Sequence, residues 1–238
     1  KQRLDKLFGE RFGIDYSRAR EVYVDEVAKH IHEVAQLIPG KRINYRLFDL
    51  KSDEACNLIG GKAYEPPETN PMLGLRGTTK LISEEYRPGL ELECEIIKTA
   101  AERYGVDLHL IIPFCRKSRD GAAAVSLIRA QGVKKEEIGV MIEIPVNAIM
   151  ADRFADVFDF LVFGPMDMTQ SLYMADRGCT RSAEYCDVSN EATKETVNVM
   201  LRRLQGYSKD IFIITYEVFS GLEEYRKYQG DNRLHLIS

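Results

Sequence analysis

Two acids in this 238-residue chain stand where apolar runs end: Glu143 in MIEIP and Asp167 in FGPMDMTQ. Burying either carboxylate unpaired would cost several kcal/mol, so each needs a cation or hydrogen-bond donors. A pair of protein carboxylates, completed by water and phosphate oxygens, is a usual way to hold Mg²⁺ where phosphoryl groups move. Internal ion pairs with arginine are the alternative that residue types leave open. Arg46 in NYRLFDL and Arg76 in GLRG offer guanidinium forks that match phosphate or carboxylate. Salt bridges with Asp49 and a neighbouring glutamate would use the same forks. Gly74 and Gly77, on either side of Arg76, are read as letting the backbone approach a ligand closely.

The elements that must carry these groups follow from the apolar pattern. Runs rich in Val, Ile, Leu and Phe predict strands buried on both faces at Ile43 to Leu50, Leu108 to Phe114, Val140 to Pro145, Phe160 to Gly164, Ile211 to Tyr216 and Leu234 to Ile237. A weaker strand is predicted around Leu73 to Gly77. Between them, helical spacing appears in Val24, Val27, Ile31, Val34 and Ile38, in Leu92 to Tyr104 before Gly105, and from Asn190 through Val197, Leu201 and Leu204 to Gly206. Repeated β then α implies a parallel sheet under helices, as an open doubly wound sheet or a closed barrel. No G-x-G-x-x-G follows an early strand, which lowers the case for a dinucleotide fold. Arg46, Asp49, Arg76, Arg116, Glu143 and Asp167 all lie in or just past the ends of apolar runs. In a barrel such strand ends converge on one rim, so the expected fold is α/β, a (β/α)8 TIM barrel with its first strand lacking or truncated. Residues 1–238 are expected to form one domain, with the first helix and the loop Lys51 to Asn70 as insertions. The start at Lys1 reads as a fragment of a longer multidomain chain.

Composition narrows the function classes. With 45% hydrophobic and 29% charged residues, the chain reads as a soluble globular domain. No apolar run approaches the ~20 residues that span a bilayer, and no signal-peptide pattern opens the sequence. A net charge of -4 with dispersed lysines and arginines argues against a nucleic-acid partner. Five cysteines without a C-x-x-C pair fit reduced, cytoplasmic thiols, read as small buried hydrophobes. Of the four histidines, His30 and His32 fall on a helix, and His109 and His235 in strand-like runs. None stands beside an obvious nucleophile.

The segments INYRLFDLKSDEACNLIGGKAYEPPETNPMLGLRG, LELECEIIK, IIPFCR, MIEIPVNAIMAD and GPMDMTQSLYMADR together resemble the C-terminal catalytic domain of the PEP-utilising enzymes, the family of phosphoenolpyruvate synthase and pyruvate phosphate dikinase. The likeness runs from about residue 40 to 177. It implies a TIM barrel that exchanges a phosphoryl group with a phosphohistidine on a separate swivelling domain, itself charged by an ATP-binding domain. Neither partner's motif occurs in these residues. Carried over by position, Arg46 and Arg76 resemble the family's phosphate-gripping arginines, and Glu143 and Asp167 its Mg²⁺ ligands.

Two departures bear on the acceptor. Where the family reads Gly-Thr/Ser-Asn-Asp, this chain has Gly164-Pro165-Met166-Asp167, so Met166 replaces an asparagine that helps hold the pyruvyl group. The family's Gly-Ile-Cys-Gly-Gln, whose cysteine protonates the enol carbon, is matched here by IFIITYEVFSG, with no cysteine near. Phosphorylating a hydroxyl needs alignment and charge neutralisation but no carbon protonation. The expectation is a Mg²⁺-dependent phosphotransferase with a non-pyruvate hydroxyl acceptor, phenolic in a phenylphosphate synthase-like member, with Met166 facing the ring. Tyr216 or Glu217 would assist the hydroxyl proton. A decayed, phosphate-binding regulatory barrel and ordinary pyruvate phosphorylation with Tyr216 as substitute acid remain alternatives. The assembly expected is a homodimer.

Overall fold

The computed structural model describes residues 18–133, 136–214 and 233–237. Two compact units emerge. Among the described residues, the first comprises 18–76, 80–109, 126–133 and 136, and the second 77–79, 110–125, 137–214 and 233–237.

In the first unit, strand β1 (Ile43–Arg46) is short and only half-buried, ending on an exposed Arg46. The helices Ala19–Leu37 and Arg87–Tyr104 pack together. Arg20 bridges Glu95 at 2.8 Å, Arg103 pairs with Asp25, and His32 stacks on Tyr104 with ring centroids 5.1 Å apart. The second of these helices begins earlier than the apolar period suggests, because Pro88 sits in its first turn, where a missing N–H costs nothing. Gly105, in the left-handed region at φ 66°, closes it.

The second unit is built on parallel strands. β2 (Leu108–Ile112), whose first two residues belong to the first unit, pairs with β3 (Ile138–Ile142). β3 pairs with β4 (Phe160–Phe163), β4 with β5 (Asp210–Ile214) and β5 with β6 (Leu234–Ile237), all parallel. Spatial order therefore follows chain order. Helices Ser118–Ala130, Pro145–Ile149 and Ala151–Ala155 lie in the connections up to β4, and Pro165–Tyr173 and Glu191–Arg203 in that before β5. Parallel neighbours in sequence order with helical crossovers are the repeating unit of the (β/α)8 class expected from the sequence.

β3 and β4 are buried at every position, which is why their sequences read as continuous apolar runs. Ile111, Met141, Phe160, Val162 and Phe212 share one cluster, with the Phe160 and Phe212 rings edge to face at 5.7 Å. Emptying such a site, as in Phe160→Ala, costs about 3–5 kcal/mol.

Most predicted strands appear with trimmed ends: β1 stops at Arg46, and β2 and β4 end before Phe114 and Gly164. β3 starts at Ile138 and ends at Ile142, before Glu143. The weak strand at Leu73 to Gly77 is not one. Residues 71–75 turn, and Gly77 opens the helix Gly77–Leu81. The two glycines there serve packing within the chain. A Cβ on Gly74 would lie 2.3 Å from the Glu68 carboxylate, and one on Gly77 would lie 2.4 Å from Phe114 Cβ. Gly77 also has φ 56°, and this tight approach lets the Thr78 N–H donate to the Pro113 carbonyl at 3.0 Å. The uniform burial expected of the thiols fails too. Cys94 and Cys115 are buried, but Cys56 and Cys186 are half-buried and Cys179 is exposed.

Candidate functional site

β3 and β4 deliver the two acids side by side. Ile142 pairs with Phe163, and Gly164 N–H donates to the Ile142 carbonyl at 3.0 Å, so Glu143 and Gly164 are neighbours at the strand ends. A side chain on Gly164 would press on Glu143, its Cβ 3.2 Å from the glutamate Cβ. Pro165 then starts the helix Pro165–Tyr173, placing Asp167 in the first turn, where a carboxylate is favoured by the helix dipole. Glu143 is 2% exposed and Asp167 6%. Their oxygens lie within 4.8 Å of one another, close enough to share one ion.

Neutral donors help to orient both acids. Glu143 Oε1 accepts from the Phe114 N–H at 2.5 Å. Phe114 takes the left-handed backbone, φ 41°, to point that N–H inward. Asn147 locks the base of the site: its Oδ1 accepts from the N–H groups of Glu143 and Ile144, both at 3.2 Å, and its Nδ2 donates to the Cys115 carbonyl at 2.6 Å. Gln170 Nε2 donates to Asp167 Oδ1 at 3.0 Å, while its Oε1 accepts the Arg177 N–H at 2.8 Å. The Arg177 guanidinium stays at 4.0 Å from Asp167. Two buried carboxylates with converging oxygens, oriented in part by N–H and amide donors, suit a hard divalent cation. Glu143 and Asp167 are the residues that could hold it.

Arg46 and Arg76 belong to the first unit with Asp49. Arg76 is engaged on both faces of its fork. Nη2 donates to Asp49 Oδ2 at 2.6 Å and Nε to Oδ1 at 3.2 Å, with side chains 5% and 2% exposed, and Nη1 reaches Met72 Sδ at 3.1 Å. The ion-pair alternative for Arg76 is thus realised, with Asp49 as the partner. Arg46 is exposed at the end of β1. Arg116, also singled out at a strand end, lies beyond β2 with its guanidinium carbon 4.8 Å over the Phe114 ring. Met166 is half-buried between Pro165 and Asp167. Tyr216 and Glu217 lie outside the described residues.

Gln170, Arg177 and Asn147 were not singled out from the sequence. Gln170 follows Asp167 by three helical positions, the spacing of neighbours on one face, and that was a usable signal. A buried acid in the first unit also escaped notice. Glu93 accepts the Phe48 N–H at 2.9 Å through Oε1, but its Oε2 is buried without a hydrogen bond. Burial pushes its carboxyl up to about 7, partly offset by the Phe48 bond. Burial likewise pushes the Cys115 thiol up to about 11, so it is inert near neutrality.

A parallel α/β unit carrying two buried carboxylates beyond the ends of adjacent strands defines a class of proteins that gather their chemistry at the strand C-termini. The chain belongs to the PEP-utilising enzyme family: residues 12–213 match the model described as "PEP-utilising enzyme, PEP-binding domain". It is 36% identical to phosphoenolpyruvate synthase of Escherichia coli over 203 residues, 83% of this chain and 26% of that protein. It is 38% identical to phosphoenolpyruvate synthase of Pseudomonas aeruginosa over 178 residues, 73% of this chain and 22% of that one. The chain thus spans about a quarter of the length of these relatives. Among the described residues, no helix is long and apolar enough to cross a membrane.

Proposed function

We propose that this chain is a phosphotransferase domain that moves a phosphoryl group between a phosphohistidine on a separate swivelling domain and a non-pyruvate hydroxyl, phenolic in class. The observation that carries it is the Glu143 and Asp167 pair, buried and within 4.8 Å, with Met166 immediately before the second acid. In this reading Glu143 and Asp167 hold Mg²⁺, which when bound neutralises charge on phosphate oxygens. The histidine N–P bond breaks as the acceptor O–P bond forms, and Tyr216 or Glu217 assists departure of the hydroxyl proton. Arg46 and Arg76 grip the phosphate. Met166 offers an apolar, polarizable surface to an aromatic ring where a carboxylate acceptor would want a donor. The reading treats residues 1–238 as one domain that works with an ATP-binding domain to charge the histidine. The relatives named above are phosphoenolpyruvate synthases, which supports the phosphoryl-transfer class.

The test supplies phenol, Mg²⁺ and a phosphorylated histidine domain, and follows aryl phosphate by phosphorus NMR. Aryl phosphate is the expected product. Absence of transfer to any hydroxyl acceptor would reject the proposal, and proton exchange at pyruvate C3 would replace it with ordinary pyruvate phosphorylation. One observation favours a second reading, a regulatory barrel that binds phosphate without turnover: the Arg76 fork is already taken by Asp49. Calorimetry showing Mg²⁺ and phosphate binding, with no transfer in the same preparation, would favour it.

A further inference from the structure

Beyond the strand ends of β2 and β3, the second unit holds a pocket of about 330 Å³ that the proposed reaction does not use. Arg116, Lys117 and Arg119 enter it from the segment after β2, and Arg153 from the helix after β3. Four cations among eight lining residues, with no carboxylate among them, is a pronounced excess in a chain of net charge -4. The remaining wall is apolar. Phe154, 1% exposed, and Met150 and Val146 line it.

These cations are set around the pocket by several supports. Arg116 is held over the Phe114 ring and donates to Thr79 Oγ1 at 3.4 Å. Arg119 Nε stands 3.4 Å from Asp120, yet its side chain remains 78% exposed, so much of the fork stays in solvent. Arg153 and Lys117 are exposed. Ser118 adds a hydroxyl at the start of the helix Ser118–Ala130. The exposed Lys117, Arg119 and Arg153 crowd like charge together, and an anion seated among them lowers that cost, with guanidinium forks suited to phosphate or carboxylate oxygens. A bare inorganic ion would leave the apolar wall unused.

We propose that this pocket binds a small organic anion with a phosphate or carboxylate head and an apolar body, at a site separate from the Glu143 and Asp167 pair. The head lies among Arg116, Arg119 and Arg153, and the body against Phe154, Met150 and Val146. The volume is at the lower end of the usual range for small-molecule sites, about 300–1,000 Å³. The inference is independent of the phosphotransferase reading, because it requires neither metal nor turnover.

The probe is phenylphosphonate, titrated calorimetrically into the chain with EDTA present, and inorganic phosphate is the control. A site that depends on Arg119 and Arg153 is expected, at least tenfold tighter for phenylphosphonate than for phosphate, whatever binds beside Glu143 and Asp167. Arg119→Ala with Arg153→Ala should weaken phenylphosphonate at least tenfold. Both side chains are exposed, so circular dichroism should show an unchanged fold. Val146→Glu, which places a carboxylate on the apolar wall, should abolish binding, and Asp167→Asn should leave it unchanged. Equal affinity for the two probes, full affinity in the double variant, no binding of phenylphosphonate at millimolar concentration, or loss with Asp167→Asn would each overturn the proposal.

Discussion

Two pairs of buried charged side chains in this chain differ in kind: one joins opposite charges, the other two acids. In the first unit, Arg76 and Asp49 neutralise each other through a two-pronged ion pair, with Met72 sulfur on the remaining nitrogen. In the second unit, Glu143 and Asp167 are two acids together, supported by the Phe114 N–H and the Gln170 amide, with Arg177 no nearer than 4.0 Å to Asp167. Opposite charges offset each other in place, whereas two buried acids whose oxygens converge repel one another, and a cation between them lowers that cost.

The comparison can be broken most forcefully at Asp49. Asp49→Ala should destabilise the chain by about 3–5 kcal/mol in urea unfolding, because Arg76 is left buried without its counterion. A loss below about 1 kcal/mol would mean that the pair is not closed. Next, Glu143→Gln and Asp167→Asn should each lower Mg²⁺ affinity and any phosphoryl transfer at least a hundredfold, while the thermal midpoint without metal stays or rises as like-charge repulsion is relieved. Calorimetry and a turnover assay read the two effects separately.

Glu93 provides an intermediate case, a lone buried acid with one oxygen satisfied. Burial raises its folded-state value from 4.5 to about 7, so across that interval the folded chain holds a proton that the unfolded chain has released. This contribution to stability is therefore full below about pH 4.5 and is lost as pH rises through about 7. Glu93→Gln keeps an acceptor for Phe48 and removes the titration. It should flatten this part of the stability profile and make the variant more stable above pH 8, by an amount on the order of 3 kcal/mol. The smallest effect is expected at Gln170. Gln170→Ala removes the donor that orients Asp167 and the acceptor for Arg177, and should weaken Mg²⁺ about tenfold with little change in urea midpoint.

Much of the arrangement was legible without coordinates. Strands β3 and β4 announce themselves because complete burial leaves no polar position in IGVMI or FLVF. Glu143 and Asp167 stand out as the first acids after such runs. Residues 73–77 carry apolar Leu73 and Leu75 at strand spacing, yet both are exposed in a turn, and Gly74 and Gly77 each make room for a side chain of the chain itself and not for a ligand. Glu93 was missed although Leu90, Glu93 and Ile97 fall on one helical face and are all buried. An acid in that position is a signal that an apolar count overlooks.

The linear order of residues determined the succession of strands and helices, since alternation and helical periods are local consequences of burial. It also determined family membership, and that two acids and two arginines stand near strand ends. Which charge meets which was decided only by tertiary structure. Arg76 finds Asp49 across 27 positions, and Glu143 finds the Phe114 N–H across 29. Electrostatic energy depends on distance and on exclusion of water, and neither quantity is carried by spacing along the chain.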